Sequence, residues 1–158
     1  MACPYFLPQG NLETGPWTHA PRLPLGAAFE GVCYARPCEP HQPSAQRQEE
    51  ICNCGYARGV CERFPAGAMA DAVRFSVTAD VPGSLRLTYI LEKDHAPAEF
   101  GALEFSIAEG VFLEQPPSEI LARQAESFVR SYLALTRGLK AWRRGPSRRA
   151  GAIIGVNS

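Results

Sequence analysis

Six cysteines, Cys3, Cys33, Cys38, Cys52, Cys54 and Cys61, are the residues whose type and placement could do chemistry, and all lie in the first 61 residues. Their spacing is Cys33-x4-Cys38, then Cys52-x-Cys54, then six intervening residues to Cys61. No C-x2-C knuckle occurs, which weighs against a zinc ribbon or finger built from two close ligand pairs. The bacterial and plant-type ferredoxin runs are also missing, apart from the isolated x4 pair. One ligand from each neighbourhood, namely Cys3, Cys33 or Cys38, Cys52 or Cys54, and Cys61, supplies the four thiolates that hold an iron–sulfur cluster. A cluster of the 4Fe–4S type is therefore the expected cofactor, with zinc as the alternative. His19 and His41 lie in the same arm and could each replace a thiol at zinc.

The reducing or oxidising setting decides between metal and disulfides. The opening Met1-Ala2-Cys3-Pro4-Tyr5-Phe6-Leu7-Pro8 has no basic n-region and no apolar run of signal-peptide length. A cytoplasmic protein is the expectation, and in that compartment cysteines serve metal or redox chemistry rather than a disulfide framework. The 46% hydrophobic and 20% charged composition is that of a globular protein. No stretch reaches the roughly 20 apolar residues of a membrane span.

Beyond the cysteines themselves, the residues Cys3-Pro4, Leu23-Pro24-Leu25-Gly26, Gly31-x-Cys33, Cys52-Asn53-x-Gly55-Tyr56-Ala57, Cys61 and Asp71-Ala72-Val73-Arg74-Phe75 form a recognisable series. The chain resembles an acidobacterial-type bacterial cysteine-motif family for which no activity is established, over most of its length up to about Phe105. The resemblance implies Cys3, Cys33, Cys52 and Cys61 as the ligands and a recurring Asp94-His95-Ala96-Pro97 turn. Cys38 and Cys54 would then be additional thiols and the alternates for ligation, and Glu62 stands where the family has proline.

Several neighbours could modify such a centre. Arg36, Arg58 and Arg63 fall within a few residues of the thiols and could offset negative charge. Tyr5, Phe6, Trp17, Phe29, Tyr34, Tyr56 and Phe64 could shield it from water or anchor the arm. Asp94-His95 is the sole acid–histidine pair, and its expected role is to stabilise a turn.

The elements that must position these residues change character near residue 66. Nine prolines up to Pro65 predict a loop-rich metal-binding arm over 1–66 with one short helix from about Ser44 to Cys52, capped by Ser44. Residues 67–145 read as antiparallel sheet plus helix, sharing one core. Val73, Phe75 and Val77 alternate with polar residues, as do Leu85, Leu87, Tyr89 and Leu91, which predicts a hairpin through Asp80–Ser84. A third strand is expected at Leu103–Ile107 after a long connection from Lys93 to Gly101, and a short fourth at Val111–Leu113. Leu121, Ala125, Phe128, Tyr132, Leu135, Leu139 and Trp142 recur at helical spacing until Gly145-Pro146. The expected fold is α+β: the arm, a three- to four-stranded antiparallel meander, and a long C-terminal helix covering one face.

Residues 146–158 read as a basic flexible tail, since Arg137, Lys140, Arg143, Arg144, Arg148 and Arg149 fall among the last 22 residues without an acid. No nucleic-acid motif accompanies them. The functional expectation is a small iron–sulfur protein for electron transfer or redox sensing, with a redox protein as its partner. The alternative is a zinc-stapled module docking a partner through its basic helix. No constellation outside the cysteines supports catalysis.

Overall fold

The computed structural model describes residues 2–12 and 23–143, with side chains through residue 136. His19, Trp17, the Gly145-Pro146 stop and the basic tail lie outside the described residues, as do the side chains of Leu139 and Trp142.

The fold is α+β, with a four-stranded antiparallel sheet, a two-stranded hairpin and a long C-terminal helix. The strands of the larger sheet are β3 (Ala72–Val81), β4 (Ser84–Lys93), β5 (Ala96–Ser106) and β6 (Val111–Phe112), in the spatial order of the sequence. Pro82 and Gly83 close the first hairpin, proline setting φ and glycine accepting +90°. The expected alternation is present: Val73, Phe75, Leu85, Leu87, Tyr89, Leu103 and Phe105 are buried on one face.

The connection from Lys93 to Gly101 is not a long loop. Lys93 pairs with Ala96, so only Asp94 and His95 turn the chain, at φ +50° and +62°, and β5 begins at Ala96, seven residues before the expected Leu103. Positive φ at both central positions is the geometry of a tight two-residue hairpin turn. Pro97, Ala98 and Gly101 concealed the strand in the sequence because none is a strand former.

Helix α2 (Glu119–Arg143) lays Leu121, Ala125 and Val129 on the sheet, with Phe128 stacked on Phe75 at 5.6 Å. Its buried stripe is not quite the expected one: Leu135 is 66% exposed, while Val129 and the polar Gln124 are buried. The face drifts because 3.6 residues per turn does not match a strict 3/4 alternation.

The arm is less irregular than its prolines suggested. Strands β1 (Phe6–Asn11) and β2 (Phe29–Cys33) form an antiparallel ladder that starts at Phe6↔Cys33 and contains Pro8 and a register shift between Pro8 and Gly10. Proline is tolerated at Pro8 because β1 is an edge strand of its two-stranded ladder. The ladder packs on α2 through β1, and Phe6, Leu25 and Phe29 join the same apolar core as the sheet. Ala2 adds a bridge to the edge strand β3, with Ala2 N–H donating to Val73 O at 2.9 Å and Val73 N–H to Ala2 O at 2.8 Å. Cys3 is thereby fixed to the sheet.

Candidate metal centre

Cys3 follows the Ala2 bridge directly. Its N–H donates to Cys52 O at 2.9 Å, and its carbonyl accepts from Phe6 N–H at 3.1 Å, closing a turn through Pro4 and Tyr5. Gln124 of α2, fully buried, donates from Nε2 to Cys3 O at 2.8 Å and to Phe6 O at 2.7 Å. One helix residue thus clamps a turn 118 or more positions away. Nothing in the periodicity of α2 gave Gln124 a function, since a glutamine on an apolar face reads as a misplaced surface residue. Removing the amide in Gln124→Leu strands Phe6 O in the core, at a cost of about 1–3 kcal/mol. A urea midpoint lowered accordingly, with Cys3 becoming more reactive toward alkylating reagent, is the expected outcome.

Cys33 ends β2. Its N–H donates to His41 O at 2.7 Å and its carbonyl accepts from His41 N–H at 3.1 Å. This brings His41 back beside the thiol.

Cys52 ends the predicted short helix, which the structure divides into one α-turn, α1 (Ala45–Arg47), and a π-turn over Gln48–Cys52. Ser44 caps it, accepting Arg47 N–H at 3.4 Å. Two buried amides bind this element to the outer edge of β2. Gln48 Oε1 accepts Gly31 N–H at 2.8 Å, and Asn53 Oδ1 accepts Phe29 N–H at 3.0 Å. Asn53 Nδ2 donates to Phe29 O and Gln48 O, both at 2.8 Å, while Gln48 Nε2 donates to Pro43 O at 2.7 Å. Side-chain amides so take the place of a third strand, which fixes Cys52 relative to Cys33. The wider π-turn lets Gln48 and Cys52 both face inward, where Gln48 is 3% and Cys52 8% exposed.

Cys61 lies in the loop after Gly55 and Tyr56, both at positive φ, and its N–H donates to Ala57 O at 2.8 Å. A carboxylate secures this loop from outside the thiol set. Buried Asp71 receives Arg58 Nε–H at 2.7 Å on Oδ1 and Asp94 N–H at 2.9 Å on Oδ2. The Asp94–His95 turn is stabilising, as expected, and it also covers the loop: His95 stacks on Tyr56 at 4.2 Å, and Tyr56 OH donates to Glu92, which pairs with Arg74 at 3.2 Å.

Burial pushes Asp71 up, but the Asp94 N–H and the Arg58 guanidinium more than offset this and hold it below its ordinary value of 3.8. A lowered carboxylate stabilises the fold above its unfolded value, and that contribution is lost as pH falls through the lower folded value. Asp71→Asn should cost about 1.5–3 kcal/mol at pH 7. The difference from the parent should narrow in acid, as read from urea midpoints at pH 7 and pH 3.

Cys33, Cys52 and Cys61 line one cavity, Cys3 is joined to Cys52 through its backbone N–H, and Cys38 and Cys54 are exposed at the surface. All six thiols are free. Cys54 Sγ donates to Glu49 O at 3.3 Å, turned to a backbone carbonyl. Burial pushes the Cys3 thiol up to about 12, against a backbone hydrogen bond at Tyr5, and the charges of Cys52, Cys33 and Cys61 add to it. Burial likewise pushes Cys52 up to about 12, with Cys33 and Cys61 acting in the same sense and Arg47 opposing. Among the described residues no group of three or more His, Cys, Asp or Glu is arranged to hold a metal ion.

A cavity of about 50 Å³ opens between Cys33, Cys52 and Cys61, rimmed by His41, Arg47, Glu62 and Arg63. Of the three arginines expected near the thiols, Arg63 is here. Arg58 is committed to Asp71, and Arg36 to exposed Glu39 at 3.4 Å. Arg47, which the sequence did not single out, donates from Nη1 toward Cys61 Sγ at 3.9 Å. Its charge also opposes the upward push on Cys52, the thiol at the C-terminal end of the π-turn, where the helix dipole disfavours a thiolate. The aromatics of the arm anchor it to the core: Phe6 and Phe29 are buried there, Tyr5 meets Phe64 edge-on at 5.5 Å, and the cavity itself is walled by Pro43 and Ile51.

Comparison of the chain with family models, with curated proteins and with solved structures finds no match. Among the described residues no helix is long and apolar enough to cross a membrane.

Proposed function

We propose that this chain is a small iron–sulfur protein whose cluster is held by Cys3, Cys33, Cys52 and Cys61 and which serves one-electron transfer or redox sensing. What supports the reading is that three unpaired cysteines from separate segments, Cys33, Cys52 and Cys61, line one cavity, that Cys3 is held beside Cys52 by its backbone N–H, and that Cys3, Cys33 and Cys52 are buried. A buried set of thiols that repel on ionising is a poor structural device by itself. It suits a cationic inorganic centre, which keeps the sulfurs as thiolates and turns their repulsion into ligation.

The donor set fits iron–sulfur chemistry: all sulfur, no carboxylate among the four, an apolar wall and nearby guanidinium groups. A tetrahedral zinc site would ask for sulfurs about 3.8 Å apart around bonds of about 2.3 Å, whereas a multi-iron cluster holds its thiolates further apart. When bound, the cluster supplies a one-electron couple, and the chain binds it, excludes water from three of its ligands and exposes the Cys61 side. An external one-electron donor protein and an acceptor complete the couple without making or breaking a bond in the chain.

The deciding experiment is anaerobic purification of the full chain followed by absorption spectroscopy and iron, sulfide and zinc analysis. Brown protein with about four irons and four sulfides per chain is expected. Colourless protein carrying one zinc would overturn the reading.

A further inference from the structure

Among the described residues, one donor of Arg63 has no partner. Its Nη2 donates to Glu39 O at 2.7 Å and lies 3.6 Å from the Glu39 carboxylate, so the outer end of the guanidinium is held at the surface. Its Nε–H is buried and unpartnered, on a side chain only 16% exposed that lines the cavity with Cys33, Cys52 and Cys61. A buried N–H without an acceptor costs about 1–3 kcal/mol, so native structures rarely keep one without a use. Arg47 approaches the same cavity from α1, with Nη1 at Cys61 Sγ and Nη2 3.5 Å from Glu62. Two guanidinium groups on separate elements thus border one sulfur-lined space, each tethered at its outer end by a glutamate.

We infer that Arg47 and Arg63 are positioning residues that set the reduction potential of the centre, donating N–H bonds to its sulfurs from the solvent side. The inference rests on the iron–sulfur reading and deepens it. Four thiolates give the loaded site a net negative charge, which grows by one when the centre takes up an electron. Positive charge and N–H donors held at fixed distance therefore stabilise the reduced form more than the oxidised one, and raise the potential. Arg47 and Arg63 line the cavity, and Arg36 and Arg58 do not. Arg58 is committed to Asp71, and Arg36 is 56% exposed and paired to Glu39.

The test is a mediated redox titration of the anaerobically purified full chain, comparing the parent with Arg47→Gln, Arg63→Gln, the double variant, and Arg36→Gln as a surface control. The double variant should keep the parent's iron content and absorption. Its ratio of reduced to oxidised centre at a fixed applied potential should fall about tenfold, which is about 59 mV for one electron. Arg47→Lys and Arg63→Lys retain the charge and should recover part of the shift. Loaded variants with the parent's potential, or a shift no greater than that of Arg36→Gln, would overturn the inference and leave the iron–sulfur reading intact. A folded lysine variant unable to load would overturn it too, by making the arginine a requirement of assembly. Absence of iron from the parent would end both.

Discussion

Cys52→Ser should strip the centre from the protein, whereas Cys54→Ser, two residues away, should leave it in place. The two thiols are nearly adjacent in sequence, and the π-turn separates them: Cys52 is 8% exposed and lines the cavity with Cys33 and Cys61, while Cys54 is exposed and bonded to Glu49 O. The same division applies to Cys3, Cys33 and Cys61 on one side and Cys38 on the other. Each serine at the four inward positions should abolish brown colour and bound iron. A metal that bridges four segments contributes its binding energy to folding, so the loss should also lower stability by several kcal/mol. Serine at Cys38 or Cys54 should change stability by no more than about 0.5 kcal/mol. Retention of iron by Cys3→Ser together with its loss from Cys54→Ser would refute the assignment. Loading should also depend on pH, because Cys3 and Cys52, pushed up to about 12, carry protons at neutrality and must release them to the metal.

Gly31→Ala is expected to be the most damaging substitution that touches no thiol. A Cβ at position 31 would fall on the carbonyl oxygen of Leu7, and would meet Phe6 Cζ at 3.0 Å. Neither can yield: Leu7 O belongs to the backbone of β1, and Phe6 is fully buried. The Gly31 N–H is itself held by Gln48. The two strands would have to separate where they position Cys33, two residues further on. Overpacking of this kind costs about 3 kcal/mol, or about 10 °C in melting temperature for a chain of this size. Loss of metal should accompany the fall in melting temperature, and a variant that melts and loads like the parent would show that the β1–β2 ladder does not determine the position of Cys33. Gly83→Ala would be a poor substitute test, because that position is at φ +90° in an open turn and reports only backbone strain.

The loop carrying Cys61 is held by remote contacts on which the proposed centre would depend. Asp71 joins it to the β4–β5 turn, and Tyr56, Glu92 and His95 form a second set of contacts over the same loop. These residues touch none of the four thiols in the hydrogen bonds observed. Their contribution is to hold a glycine-containing segment in one conformation, which lowers the entropy lost when Cys61 engages a metal.

The sequence by itself determined the periodic part of the protein. Alternating apolar residues in β3 and β4, the Pro82-Gly83 turn, and the helical spacing after Ser118 are local patterns, and local geometry suffices to convert them into a hairpin and a helix. The α+β class follows from them. A run such as Ala96-Pro97-Ala98 has no strand propensity of its own. Only pairing with β4 makes it a strand, so it was read as a loop.

The distinction between inward and outward cysteines belongs to the tertiary structure. Spacing offered Cys33 or Cys38 and Cys52 or Cys54 on equal terms, and the choice came only through the resemblance to a cysteine-motif family. What turns Cys33 and Cys52 inward is a set of long-range polar contacts, Gln48 and Asn53 to β2 and Gln124 to the Cys3 turn. Such contacts leave no periodic trace, because a buried glutamine or asparagine is stabilised by the particular backbone groups it meets and not by its neighbours in sequence. For the same reason Arg47 escaped notice and Arg58 was misjudged: proximity along the chain says little about which carboxylate or sulfur a long flexible side chain will reach.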